Sequence, residues 1–395
     1  MPAHHPPTRA SRVGVSSLFA ITVALFLCSA LTWVSAPTAA LWIVAIVATE
    51  WGHYAALVCV VLALLAWRSG RLGAATALLA CISGVLFVSP VIRATRIAKL
   101  LPAQCEAAFG EAKSSRSRAA PLNVADLFRA TPASEVVVTE HLYGMAGPKQ
   151  LELDLYQQKN VLAPQPLIVM IHGGSWNGGN KEQLAKTNRR LAQEGYSVAA
   201  INYRHAPKFK SPAAVEDTFR ALDFLKADAE KLHLDISRIV LIGRSAGGQI
   251  ALSAAYADRE PGIQGVVAFY APADLVLGYD VPSRRLVLDS RKVLEDYLGG
   301  SPAQNPDGYA AASPTNFVNA STPPTLLIHG GLDPIVWPHQ SEALSERLQQ
   351  AARPYLYVRL PWATHGCDAN LSGPSGQLSL YAIDRFLAAV FAERG

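Results

Sequence analysis

The sequence predicts an α/β fold, in which helices cover both faces of a mostly parallel sheet, preceded by an apolar helical region. Half of the 395 residues are hydrophobic and only 16% are charged. Mean hydropathy is +0.19, and the apolar excess lies in the first hundred residues. From residue 135 onward, short β-branched runs alternate with amphipathic segments. Residues 167–172 form a short apolar run, and a Gly pair follows it. This pattern is typical of a buried strand that ends in a loop.

The first hundred residues contain three apolar stretches, which predict about three transmembrane helices. Residues 13–34 carry no charge and are long enough to cross ~30 Å of hydrocarbon. The stretch 41–67 is interrupted by Glu50 and His53, so residues 51–67 are its predicted spanning part, and residues 41–49 either extend a tilted helix or lie at the interface. Residues 72–92 form the third span. A cleaved signal peptide is the alternative for the first stretch, but a signal core has only roughly 7 to 15 apolar residues.

The chain therefore divides into a membrane region at 1–100, a linker at 101–133 and a catalytic domain at 134–395. The net charge of +5 comes largely from basic residues beside the apolar stretches, which favours a membrane as partner and not nucleic acid. With three spans, the catalytic domain is expected on the extracytoplasmic side, because the larger of two sets of basic residues would then face the cytoplasm. The smaller set would lie outside, which opposes this orientation. The first set is Arg9, Arg12, Arg68 and Arg71, and the opposing set is Arg93, Arg96 and Lys99.

Polar and thiol groups near the membrane region give no sign of a metal or cofactor. Glu50 and His53 are interpreted as an interfacial loop or helix end facing headgroups, with a functional pair as the alternative. Three of the five cysteines lie in apolar runs, where a thiol behaves as a small hydrophobe. Cys105 and Cys367 have no metal-ligand spacing, and a disulfide between them stays open.

Strands and helices alternate along the catalytic domain, which implies a mostly parallel sheet with its functional residues at the carboxyl ends of the strands. The predicted strands are 136–141, 151–157, 167–172, 197–203, 239–242, 263–270, 325–329 and 355–360. The predicted helices are 180–194, 213–232, 249–257, 339–352 and 378–392.

The segment Gly243-Arg244-Ser245-Ala246-Gly247 follows a predicted strand and precedes a predicted helix. This is the context of a nucleophile elbow, in which a sharp turn exposes the serine and small neighbours prevent clashes. The helix N-terminus also favours a developing oxyanion. A Gly-rich structural turn is the alternative, but it would not account for the partners described next. Ser245 is the predicted nucleophile.

The segment His172-Gly173-Gly174-Ser175-Trp176 closes a strand some seventy residues before the elbow. A tetrahedral intermediate needs backbone N–H donors, and adjacent glycines at a strand end supply them. The predicted donors are Gly174, Ser175 and, from the elbow, Ala246. His172, Gly173 and Trp176 are expected to support this loop, and a role for His172 as catalytic base is the less favoured alternative.

An acid and then a histidine should follow the serine along the chain. Asp333 and His365 each come just after a late predicted strand. His365 would deprotonate Ser245 and later protonate the leaving group, while Asp333 would orient the imidazole and stabilise its cation. The rivals for these roles are Asp368, Asp274, His329 and His339.

On these motifs, the chain from about residue 135 resembles the α/β-hydrolase superfamily, within it the hormone-sensitive-lipase and carboxylesterase branch, including BD-FAE-like esterases. Residues 202–207 and 211–217 are similar to a stretch that braces the oxyanion loop in this branch. Ser175 stands where many relatives have a third glycine, and Arg244 stands where an acidic residue is usual. The segment 275–312 is expected to cover the site in place of a long helical cap.

The resemblance implies ester hydrolysis without a cofactor or metal, on a small or lipid-like acyl ester. Amide or arylformamide hydrolysis and acyl transfer are alternatives on the same triad. A non-catalytic, receptor-like module is less favoured, because the chain keeps all three candidate triad residues. The sequence therefore predicts a membrane-anchored serine hydrolase that works through an acyl-enzyme.

Overall fold

The computed structural model of the chain describes residues 9–111, 118–129, 135–147, 149–183 and 185–392, with side chains from residue 14. The helices are α1 (Arg9–Ala30), α2 (Ala39–Glu50), α3 (Gly52–Ala66), α4 (Gly70–Phe109), α5 (Ala185–Gln193), α6 (Ala213–Ala227), α7 (Ala246–Tyr256), α8 (Leu275–Asp280), α9 (Ser290–Leu298), α10 (Pro306–Ala312), α11 (His339–Gln350) and α12 (Pro374–Val390), with short 3₁₀ helices at Val124–Phe128 and Pro314–Phe317. The strands are β1 (Val136–Ala146), β2 (Lys149–Gln158), β3 (Gln165–Ile171), β4 (Ser197–Ile201), β5 (Leu234–Arg244), β6 (Ile263–Phe269), β7 (Thr325–Gly330) and β8 (Tyr355–Leu360).

The eight strands form one sheet in the order β1-β2-β4-β3-β5-β6-β7-β8. β2 pairs antiparallel with both β1 and β4, and every later pair is parallel. The predicted mostly parallel sheet is therefore confirmed. Because β3, β5, β7 and β8 run in the same direction, the loops that follow them meet at one edge of the sheet.

Helices cover both faces of the sheet, because the buried strands alternate their side chains between two apolar cores. In β3, Val169 and Ile171 belong to one core, which includes residues of α6, α7, α9 and α11. Ile168 and Met170 belong to the other core, which includes residues of α5, α12 and the carboxyl-terminal part of α4. A helix of the predicted membrane region is thus part of the covering of the sheet.

The prediction of about three transmembrane helices is wrong. Among the described residues, one helix, α4, is long and apolar enough to cross a membrane, and a second span requires counting the bent pair α2 and α3 together. The apolar part of α1, from residue 14 to residue 30, is shorter. Because the extracytoplasmic placement of the catalytic domain depended on three crossings, that prediction falls with the multi-pass arrangement.

The predicted second span is broken at Trp51, where α2 meets α3 at an angle of 83°. Directly after this turn, Gly52 packs closely against α4, where a Cβ atom would lie 2.6 Å from the Phe87 carbonyl oxygen, so the position requires glycine. The carboxylate of Glu50 also points away from any lipid. It accepts hydrogen bonds from the Ser375 hydroxyl at 2.6 Å and the Ser375 amide at 3.2 Å, at the start of α12.

The sequence predicts that Glu50 and His53 face headgroups, and this prediction is wrong. Both side chains are buried, and His53 Nε2 lies 3.0 Å from the Leu127 carbonyl oxygen. Burial raises the pKa of Glu50 to about 8, and the hydrogen bonds from Ser375 oppose this rise. The pair helps join the N-terminal helices to the catalytic domain.

The domain boundary at residue 100 cuts through a continuous helix, since α4 extends to Phe109. Its last turns pack on the catalytic domain, with Leu101 and Cys105 buried against the core that contains Phe386. Cys105 and Cys367, for which the sequence leaves a disulfide open, are both free thiols in the structure. The first residues of the predicted linker are therefore a rigid connection.

Candidate active site

Ser245 occupies a strained turn between β5 and α7. Its φ of 53° and ψ of −122° fall outside the ordinary regions for a residue with a side chain. A Cβ atom on Gly243 would lie 2.1 Å from the Gly247 carbonyl oxygen, and one on Gly247 would lie 2.3 Å from the His172 carbonyl oxygen. The two glycines are therefore required for the turn that presents Ser245 at the end of the sheet.

Asp333 and His365 follow the adjacent strands β7 and β8 and contact each other. The imidazole Nδ1 of His365 lies 2.7 Å from Asp333 Oδ2. Both side chains are buried. His365 and Ser245 line the same cavity, so all three predicted residues lie at one end of the sheet. Of the hydrogen bonds in the described structure, the one that joins members of this set is between His365 and Asp333.

The Asp333 carboxylate is held by a second set of donors. Its Oδ1 accepts hydrogen bonds from the amides of Ile335 at 2.8 Å and Val336 at 2.9 Å, and His329 Nε2 lies 3.4 Å from Oδ2. Burial would raise the pKa of Asp333, but the charge of His365 and the hydrogen bonds from His329 and His365 lower it to about 2. The carboxylate is therefore ionised throughout the neutral range.

The loop after β3 and the start of α7 together place three backbone amides beside the serine. A Cβ atom on Gly173 would lie 3.3 Å from the Cβ of Ser245, and Gly174, Ser175 and Trp176 all adopt positive φ values. In the part of the chain that the structure describes, the amides of Gly174, Ser175 and Ala246 donate to no protein acceptor. They are available to an oxygen atom in the cavity.

Aromatic packing fixes this loop. The indole of Trp176 stacks on Tyr297 at 4.4 Å and donates to Gln249 Oε1 on α7 at 2.9 Å. The His172 imidazole stacks on Tyr203 at 4.3 Å, and the Tyr203 hydroxyl donates to the His172 carbonyl oxygen. Burial lowers the pKa of His172 to about 4, so its ring is neutral at pH 7.

Two connected cavities meet at Ser245. The first, here called the apolar cleft, extends under the segment between β6 and β7 and is lined by Trp176, Leu275, Leu277, Val293, Leu294 and Trp337. The second, here called the outer chamber, is lined by Trp42, Ile46, Arg244, Tyr270, His365 and Asp368. Ser175 and Ser245 border both cavities. His365 lies only on the side of the outer chamber, so the two sides of the serine are chemically distinct.

The rivals for the acid and base take other positions. Asp274 caps α8 by accepting from the Leu277 amide at 2.9 Å, and His339 is the first residue of α11. The imidazole of His329 is fully buried, with Nδ1 2.7 Å from the Ser341 hydroxyl. Asp368 accepts from the Tyr270 hydroxyl at 2.6 Å.

Sequence reasoning missed a buried charged network at the floor of the outer chamber. Arg244 Nε donates to Asp368 Oδ2, and Tyr270, which also binds Asp368, places its ring 4.3 Å from that of His365. From the sequence, Arg244 is only a departure from the acidic residue that is usual in the elbow. Its partner, Asp368, lies three residues after His365 in the chain, and this short spacing is the only feature of the sequence that points to the network.

The contribution of the N-terminal helices was also missed. The Trp42 indole N–H donates to the His365 carbonyl oxygen at 2.8 Å, and the two rings meet edge to face at 6.2 Å. Ile46, one helical turn later, lines the outer chamber. These residues lie in an apolar run that reads as a membrane span, so no local pattern indicates that they reach the active site.

The described residues contain no group of three or more His, Cys, Asp or Glu side chains that could hold a metal ion.

Known proteins match the catalytic domain. A model of the BD-FAE family matches residues 153–348. The probable carboxylic ester hydrolase LipM of Mycobacterium tuberculosis is 29% identical over 266 residues, 63% of this chain and 60% of that protein. The esterase LipC of the same organism is 31% identical over 267 residues, 64% of this chain and 65% of that protein.

The matched domain belongs to the α/β-hydrolase superfamily, and the relatives that match it are named as a carboxylic ester hydrolase and as esterases. A bacterial heroin esterase is one structural neighbour, with 25% identity, a TM-score of 0.56, and coverage of 78% of this chain and 92% of that chain. An esterase structure from Rhizomucor miehei, at 20% identity and a TM-score of 0.57, shares the fold. The matched part of this α/β-hydrolase spans less than two-thirds of the length of the curated relatives.

Proposed function

We propose that this protein is a membrane-anchored serine hydrolase that cleaves carboxylic esters through an acyl-enzyme. The observation that carries the proposal is the buried hydrogen bond between His365 and Asp333, in the cavity that also contains the strained Ser245. A structural role alone gives no reason for a serine to be held at a positive φ beside a histidine that a buried carboxylate orients. Relatives named as esterases support the choice of ester bonds.

Acylation begins with attack by Ser245 Oγ on the ester carbonyl carbon. His365 Nε2 accepts the hydroxyl proton as the bond forms. Because His365 Nδ1 donates to Asp333, the proton-accepting nitrogen is Nε2, and the ionised Asp333 stabilises the imidazolium that results. The carbonyl oxygen acquires negative charge and receives hydrogen bonds from the amides of Ser175 and Ala246, with Gly174 as the third candidate donor.

The position of His365 assigns the two halves of the ester to the two cavities. The imidazolium must protonate the leaving alcohol oxygen, so the alcohol part lies in the outer chamber, which His365 lines. The acyl part then occupies the apolar cleft. Water enters after the alcohol leaves, loses a proton to His365 and attacks the acyl-enzyme, which releases the acid and restores Ser245.

Membrane anchoring rests on α4. From Gly70 to Ser89 its 20 residues rise about 30 Å, which matches the hydrocarbon thickness of a bilayer. Trp67 and Arg68 lie at one end of this stretch. At the other end, the Trp33 indole donates to Ser89 at 3.0 Å and the Arg93 guanidinium lies 4.3 Å from the Trp33 ring. Aromatic and basic residues at these two levels are typical of membrane interfaces.

Hydrolysis of p-nitrophenyl acetate by the purified full-length chain tests the enzymatic proposal. Wild type should release p-nitrophenol, and Ser245→Ala should lower kcat/KM by at least about 10⁴-fold, since triad members act as a unit. Ser321→Ala is the matched control, because Ser321 lies on an exposed loop before β7. Equal rates for Ser245→Ala and wild type would refute the proposed nucleophile.

The same preparation separates ester hydrolysis from the alternatives on this triad. Wild type should cleave p-nitrophenyl acetate much faster than p-nitroacetanilide. A preference for the anilide would favour amide hydrolysis. Transfer of the acyl group to an added alcohol in preference to water would favour an acyltransferase.

A further inference from the structure

One face of α2 belongs to the active-site region. Trp42, Ile46 and Glu50 are spaced four residues apart, so they lie on the same side of the helix. Trp42 binds the His365 carbonyl oxygen, Ile46 lines the outer chamber, and Glu50 binds Ser375. This side of α2 is a wall of the chamber in which the alcohol part of the ester is expected.

The outward side of α2 is apolar and exposed. Ile43 and Val47, also four residues apart, are each 53% exposed, and Leu41 is exposed beside them. The same apolar surface continues over α3 and the first part of α4. Its exposed members include Leu57, Val61 and Leu65 of α3 and Leu78, Ile82 and Val85 of α4. An exposed apolar surface of this extent indicates contact with a nonaqueous phase or another apolar body.

The geometry of the helices favours a lipid bilayer as that phase. α3 and α4 form an antiparallel hairpin, in which Gly52 lies against Phe87 and Gly84 against Cys59. α2 meets α3 at 83°, so α2 lies nearly parallel to the membrane surface when α4, against which α3 packs, stands along the membrane normal. The contact of Gly52 with Phe87 places the junction of α2 and α3 near Ser89, to which Trp33 donates, at the end of the hairpin beside the catalytic domain.

A short segment faces α2 across the outer chamber. The Leu286 carbonyl oxygen accepts from the Ala39 amide at 3.0 Å, and Arg284 donates to the Ser35 carbonyl oxygen at 3.1 Å. Leu286 itself is 74% exposed, while the adjacent Val287 and Leu288 line the chamber. Apolar side chains therefore lead from the outside of the molecule to the serine on this side.

We propose that α2 is an interfacial helix that holds the outer chamber at a bilayer surface, and that the physiological substrates are acyl esters dissolved in that bilayer. The substrate enters between α2 and the segment 281–289 and places its acyl chain in the apolar cleft. This inference rests on the proposed esterase function and specifies the source of its substrate. Anchoring by α4 alone does not explain why the outward side of α2 is apolar, whereas contact between α2 and lipid does.

The experiment compares one ester in the bilayer with one in water. The full-length chain is reconstituted in phosphatidylcholine vesicles and supplied with 4-methylumbelliferyl oleate in the same vesicles or with soluble p-nitrophenyl acetate. Because a charge at an interface opposes lipid contact, Ile43→Glu with Val47→Glu should lower the oleate rate by about tenfold or more. The acetate rate should stay close to that of wild type, since neither side chain lines the two cavities.

Leu162→Glu is the matched control, because Leu162 is 94% exposed and lies before β3, at the opposite end of the sheet from Ser245. It should change neither rate. Retained acetate hydrolysis shows that a variant is folded, and Ile43→Gln with Val47→Gln offers a milder pair if the glutamates reduce it. Equal oleate rates in wild type and a folded double variant would overturn delivery from the bilayer. Failure of wild type to hydrolyse either ester would instead refute the esterase function.

Discussion

The N-terminal helices and the hydrolase domain place their apolar residues in opposite ways. In the hydrolase domain, central strands such as β3 are buried on both faces, and polar side chains cover most of the outside. In the N-terminal helices, small or polar side chains such as Ala80 and Ser83 are buried, while Val85 and Ile82 are exposed. The first pattern is that of a protein folded in water, and the second is expected where lipid surrounds the helices.

The two regions meet at α2, which follows neither pattern completely. Its side facing the hydrolase domain carries Trp42 and the buried Glu50, and its outward side carries Ile43 and Val47. The apolar N-terminal region therefore lines part of the candidate active site, in addition to its proposed role as an anchor. We expect catalysis to depend on the hydrolase domain and its modulation to depend on α2.

The largest expected effect belongs to the hydrolase domain alone. His365→Ala should lower kcat by at least about 10⁴-fold, and adding Ser245→Ala should lower it little further, because the two residues act in one proton transfer. Steady-state kinetics on a soluble ester with the two single variants and the double variant measure this. Additive losses would mean that the residues act separately.

Asp333→Asn comes next. The amide keeps the size of the side chain but favours the wrong imidazole tautomer, so a fall in kcat of about 10²- to 10⁴-fold is expected. KM for a soluble ester should change much less. Asp274→Asn provides the control, since Asp274 caps α8 and makes no contact with His365 in the described structure. Equal losses for both variants would show that Asp333 is structural.

A substitution in the N-terminal region should have a smaller effect on kcat. Trp42→Phe removes the indole donor to His365 but keeps an aromatic ring. Loss of one neutral hydrogen bond should lower kcat by about three- to tenfold. Trp33→Phe, which removes a donor to Ser89 instead, should leave kcat on a soluble ester unchanged. If the two variants behave alike, the contact between α2 and His365 has no catalytic consequence.

The smallest effect concerns the stability of the joint between the regions. The raised pKa of Glu50 means that the folded protein retains a proton that the unfolded chain releases above its ordinary value of 4.5. Wild type should therefore lose stability as pH rises from about 4.5 through 8. Glu50→Gln lacks this group, so its melting temperature should fall by a few degrees less than that of wild type between pH 6 and pH 9. Identical pH dependence would show that Glu50 does not titrate with folding.

The sequence predicts the hydrolase domain well because its signals are local. An apolar strand followed by glycines, as around Ser245 and Gly173, is recognisable within a few residues, and strand order along the chain places Asp333 and His365 at one edge. The mostly parallel sheet follows from the same alternation of strands and helices.

The N-terminal region could not be predicted in the same way, because its decisive contacts are distant in sequence. Gly52, directly after the break at Trp51, packs against Phe87 of α4, and α2 makes hydrogen bonds with Ser375 and His365, more than 300 residues away. Hydropathy alone cannot tell a spanning helix from one that lies across a protein surface. The partner of Arg244 was missed because a buried ion pair leaves no periodic signal.

The most direct test of the central claim is the mass of the protein after reaction with a fluorophosphonate, followed by peptide mapping. We predict a single adduct on Ser245 in wild type, formed far more slowly in His365→Ala and absent from Ser245→Ala. An adduct on another residue, or one that forms at the same rate without His365, would contradict the account.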